Sequence, residues 1–108
     1  MTAEFDRAVD RLLNHVSHWT PPRWAAPGAP GAGSRADMMH ELVQRLADLA
    51  ADAERLPRRT VPRLENLLGL PDQLRVIAAD LRVANPDDET FATAAELVNT
   101  TNTSIDQH

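Results

Sequence analysis

Three features of the sequence predict an all-α fold, specifically an antiparallel up-down four-helix bundle with an extra short connector helix. Four stretches repeat apolar residues at steps of three and four. No stretch alternates polar and apolar residues as a half-buried strand does, and the later connections are short. The 108 residues make one domain, 1–108. A chain of this size buries roughly 60–70% of its unfolded surface, enough for one modest core.

The first helix carries Phe5, Val9, Leu12, Val16 and Trp19 on one stripe. Thr2 is its expected N-cap, Glu4 suits the positive end of its dipole, and Pro21 and Pro22 are expected to end it. Residues 20–33 are rich in proline, glycine and alanine and are expected to form a loop without regular structure, pinned to the bundle by Trp24. Ser34 caps the second helix, and Asp37 three residues on approximates a capping box. Met39, Leu42, Leu46, Leu49, Ala53 and Leu56 then follow on its apolar side up to Pro57. Residues 58–69 hold the connector helix, capped by Thr60, with Leu64, Leu67 and Leu68 as its apolar side and Gly69 as its stop.

The next helix opens near Pro71 and presents Leu70, Leu74, Ile77, Leu81 and Ala84. Asn85 is the expected cap of the last helix, with Pro86 in its first turn and Asp87 and Asp88 matching its dipole. Its core residues are Phe91, Ala94, Ala95, Val98 and Ile105. Residues 99–108 are expected to fray, because the run 99–104 consists of poor helix formers.

Composition excludes several classes of function. There is no cysteine, hence no disulfide scaffold, no thiolate metal site and no thiol nucleophile. A net charge of −5 opposes binding to nucleic acid, which depends on neutralising phosphates. No apolar run approaches the ~20 residues that span a bilayer, and the first residues lack a basic segment followed by an apolar one. The sequence therefore predicts a cytoplasmic protein that binds neither membrane nor nucleic acid.

Four residues are candidates for a metal site. His15 and His18 lie three apart on the first helix, and His40 and Glu41 on the second could complete a ligand set. The apolar stripes turn all three histidines away from the core, which leaves them as solvated surface groups and predicts neither metal nor cofactor. Arg35 and His40 also resemble the arginine–histidine spacing of the HEPN ribonucleases, but Ala36 stands where those enzymes carry a polar residue.

The run from Ser34 through Val43, with Pro57, Arg58, Arg59, Val61, Pro62, Arg63 and Leu64, resembles a group of small actinobacterial helical proteins. All eleven lysine-or-arginine positions being arginine suits such a GC-rich source, and the resemblance implies a helical fold without implying an activity. Trp24 and the Asp37 to Val43 stretch are also similar to the opening of DinB-like, mycothiol-dependent enzymes. That similarity implies a metal ligand early in the second helix. Aligned on Asp37, Leu42 and Val43, Glu41 falls on the ligand position and His40 one residue away, and the later ligands of those enzymes are not expected within this chain.

Arg55, Arg58, Arg59 and Arg63 cluster around two prolines, a patch suited to a phosphate or an acidic partner, or else to simple solvation at a helix end. Pro27 and Pro30 form a PxxP, and Asn99 and Asn102 each open a glycosylation-type triplet; both read as idle. Met38, Met39, Phe91 and Trp19 line a ligand cavity or, more simply, form core.

The departure that points to function lies on the helix after Pro71. Val76, Ala79 and Val83 give it a second apolar stripe opposite the first. Either another copy of the chain covers this face, or the Trp24 loop or the connector does. With no complete catalytic set, the sequence predicts a non-enzymatic interaction module that forms a homodimer and binds a protein partner. Val76, Ala79, Val83, Arg55, Arg58, Arg59 and Arg63 are its contact residues. The alternative is a degenerate DinB-like metal-dependent enzyme.

Overall fold

In a computed structural model, which describes residues 2–107, the chain is all-helical, with no strand among the described residues. The helices are α1 (Ala3–Val16), α2 (Pro21–Ala25), α3 (Arg35–Glu54), α4 (Leu70–Ala84) and α5 (Asp88–Ser104), with one 3₁₀ turn over Leu67–Gly69.

The longest helix starts where its capping chemistry lies. Ser34 Oγ accepts the Asp37 N–H at 3.0 Å, and Asp37 Oδ2 accepts the Ser34 N–H at 2.9 Å, so two donors at the α3 start are satisfied reciprocally. Gly33, at φ +82°, feeds the chain into this cap in a conformation that strains any other residue. α3 then packs against α2, α4 and α5, while α1 packs against α4 and α5. Phe5, Leu12, Met39, Leu46, Leu74, Leu81, Val98 and Ile105 are fully buried between these helices, and the Phe5 and Phe91 rings lie 6.0 Å apart. Arg82 Nε donates to Asp6 Oδ1 at 2.6 Å and Arg11 to Asn99 at 2.9 Å, tying α1 to α4 and to α5.

Several sequence expectations are corrected, each for a local reason. Residues 20–33 are not wholly irregular. Pro21 and Pro22 open α2 rather than ending α1, because their fixed φ suits a first helical turn, and Thr20 caps the Arg23 N–H. Trp24 from this short helix is fully buried against Trp19, with ring centroids 4.8 Å apart. The helix expected after Thr60 is absent; the chain is extended until the 3₁₀ turn capped by Asn66. Its backbone groups are taken by side chains instead: Gln44 binds the Arg59 carbonyl and the Val61 N–H, and Gln73 binds the Pro62 carbonyl.

At the start of α5 the cap is Asp87, which accepts the Thr90 N–H, while Asn85 instead ends α4 in the left-handed conformation. Thr2 occupies the N-cap position of α1 without a side-chain bond. Residues 99–104, expected to fray, continue α5 as helix, because Ile105 just beyond them is fully buried and gives the last turn an anchor.

Leu46→Ala is expected to cost about 2–5 kcal/mol in chemical denaturation, as truncation of a fully buried leucine does. His40 is half-buried, its imidazole making no hydrogen bond among the described residues, and His40→Ala should cost below about 1 kcal/mol. The reverse order would mean that α3 is rotated about its axis.

Candidate functional site: an apolar groove beside α4

Twenty residues after it begins, α3 stops abruptly. Arg55 takes the left-handed conformation (φ 58°, ψ 38°), and the Leu56 N–H closes back on the Ala51 carbonyl at 2.9 Å. This turn takes Leu56 off the core, leaving it 56% exposed where the sequence stripe had it buried, and Ala53 in the last turn of α3 is exposed as well. The backbone of the extended segment that follows is clasped to α3 by Gln44. Gln44 Oε1 accepts the Val61 N–H at 2.7 Å, and its Nε2 donates to the Arg59 carbonyl at 2.9 Å. Gln73 of α4 donates to the Pro62 carbonyl at 3.1 Å from the other side.

Between this segment, α3 and α4 an open groove of about 580 Å³ remains. Its floor is hollow because α3 presents the small Ala47, Ala50 and Ala51 there, with Glu54 at its end. Val61, Pro62 and Leu56 form one wall, and Val76, Ile77 and Val83 of α4 form the other. Val76 is 59% and Val83 82% exposed, so neither the Trp24 loop nor the extended segment covers them. Ala79 is exposed as well but lies outside the groove lining. The buried face of α4 is turned toward Ala78, which is fully buried, and this brings Ile77 partway into the groove.

The arginine cluster divides in two. Arg58 holds Asp52 with a forked pair of bonds at 3.0 and 2.7 Å, and these bonds draw the Asp52 carboxyl below the usual carboxylate range. Arg63 meets Asp37 at 2.6 Å. Among the described residues the guanidinium groups of Arg55 and Arg59 have no carboxylate within ion-pair distance, and the carboxylates of Glu54 and Asp80 have no basic group there. Arg59, Glu54 and Asp80 all line the groove.

The metal candidates occupy different places. His15 is not a solvated surface group: its Nδ1 meets Asn102 Oδ1 at 2.7 Å, its Nε2 meets Asp106 Oδ2 at 3.1 Å, and its ring stands edge-on to Trp19. It thereby fastens the end of α5 to α1. His18 is exposed. His40 lies on α3 near Asp37 and Arg63; burial and then the Arg63 charge push its imidazole pKa down, against the pull of Asp37. Glu41 is exposed and lines a shallow hollow between α3 and α5. Among the described residues no group of three or more histidine, aspartate or glutamate side chains is placed to hold a metal ion.

Arg35 is buried, with its guanidinium 5.4 Å from the Trp19 ring centre and donating to the Arg23 carbonyl, so it is packing against an indole rather than facing an open site. Met39, Phe91 and Trp19 belong to the packed core. Pro27 and Pro30 fold into a tight loop closed by the Gly28 N–H to Gly33 carbonyl bond, and Asn99 and Asn102 sit within helix with their side chains engaged.

The sequence signals for this groove were the three alanines on one side of α3 and the second stripe of α4; which wall faced them was not readable. Comparison with family models, with curated proteins and with solved structures finds no match to this chain. No helix among the described residues is long and apolar enough to cross a membrane.

The bond from the Ser34 N–H, followed by the bond from Arg63, holds the Asp37 carboxyl below its ordinary range. A carboxyl that titrates lower in the folded chain than in the unfolded one stabilises fully above about pH 4, and that contribution is lost as pH falls through the folded value. Asp37→Ala should therefore cost about 0.5–1 kcal/mol at neutral pH, on the scale of helix capping. Urea melts should show the gap to wild type narrowing below pH 4; a gap independent of pH would mean the ionised carboxylate contributes nothing.

Proposed function

We propose that this protein is a non-enzymatic helical interaction module. In this reading α1, α3, α4 and α5 form an antiparallel up-down bundle. A second copy of the chain covers the outer face of α4 and the groove beside it, and the remaining surface, Arg55 included, is offered to a protein partner. The observation that carries the reading is the exposure of Val76 and Val83 on the wall of an apolar groove. Fully burying a valine is worth about 1.5 kcal/mol or more, and a twofold contact buries each such residue twice.

Sedimentation velocity is expected to show a dimer at high micromolar concentration, and Val76→Asp with Val83→Asp should return the chain to a monomer without altering its far-ultraviolet circular dichroism. A wild-type chain that stays monomeric at that concentration removes the proposal.

A further inference from the structure

We propose that the two copies pair about a twofold axis, with α4 of each seated in the groove of the other and Arg59 of each copy set against Asp80 of the second. This rests on the self-association proposed above and adds its register and its specificity.

Charge is the first argument. Arg58, Arg63, Arg75 and Arg82 each have a carboxylate within 4.0 Å, whereas among the described residues Arg59 has no carboxylate and Asp80 no basic group at that distance, although both line the groove. An acidic partner would be met by basic walls alone. Here an unpaired base stands on one wall and an unpaired acid on the other. A patch carrying both signs is complementary to itself, which is what an isologous contact requires: where i meets j, j meets i.

Helix geometry supplies the second argument. Val76, Asp80 and Val83 follow each other at steps of four and three along the exposed side of α4. An antiparallel copy can set Val76 against Val83 and Val83 against Val76, which places the axis beside Ala79. A side chain as small as alanine there allows the helices to approach closely. The same axis brings the two Asp80 carboxylates toward one another. Arg59, reaching across from the extended segment, is the group positioned to neutralise each of them, so the register is favourable only with both arginines in place.

The test uses Arg59→Glu and Asp80→Arg in the full chain, studied by sedimentation at low and moderate salt. Each variant alone places like charges across the axis twice and is expected to self-associate about tenfold more weakly than wild type. Mixed in equal amounts, the two form a heterodimer in which both contacts join opposite charges, one in the wild-type sense and one reversed, so association returns toward the wild-type value. Both side chains are exposed, and thermal melts confirm that each variant folds; Arg59→Gln and Asp80→Asn should shift association in the same direction by less. If the single variants associate like wild type, or the mixture is no tighter than its components, the register is wrong while self-association stands. If wild type is a monomer, both proposals fall.

Discussion

Reciprocal hydrogen bonds between Ser34 and Asp37 start α3 at a defined residue, and the left-handed turn at Arg55 stops it twenty residues later. Because α3 touches α2, α4 and α5, those two ends set where the other elements can lie. The start brings Gly33 and the tight loop before it back onto α3, where Gly28 sits so close to Met38 that a Cβ would collide with its sulfur. The stop throws the chain into an extended run that Gln44 then clasps through the backbone of Arg59 and Val61. A non-glycine residue in left-handed backbone costs about 1–2 kcal/mol. The two carbonyls of α3 that are satisfied at this turn offset part of that cost.

The groove follows from this arrangement. The clasp holds the extended segment against α3 at Gln44, and the alanines on the far side of that contact are too small to fill the space toward α4. Had the segment formed the helix expected after Thr60, its leucines would have been available to cover α4. Extended instead, it forms one wall and leaves Val76 and Val83 in solvent. A helix with one face in the core and another in water is the feature from which the proposed self-association is drawn.

The opposite end of the molecule is closed. His15 joins Asn102 and Asp106 to α1, Ile105 is buried beneath, and Trp19 is flanked by Trp24 and by the guanidinium groups of Arg23 and Arg35. Residues that looked like a site in the sequence are here structural. His15 is a tether, Arg35 is packing, and two of the four clustered arginines are tied to aspartates. Three of the four exposed large apolar side chains among the described residues, Leu56, Val76 and Val83, line the groove beside α4.

The apolar stripes through Phe5, Leu12, Met39, Leu46, Leu74 and Leu81, and the cap at Ser34, are short-range properties written in a few neighbouring residues. The sequence by itself therefore determined the helical class, most of the core and the existence of a second apolar side on α4. Residues whose fate depends on contacts distant along the chain escaped it. Leu56 left the core because of one backbone turn, His15 met partners more than eighty residues away, and the tail past Val98 stayed helical because Ile105 found a buried place. Only the tertiary structure decided whether Val76 and Val83 were covered, since that depended on the path of the chain between Arg55 and Leu64, and a path is set by long-range packing rather than by local spacing.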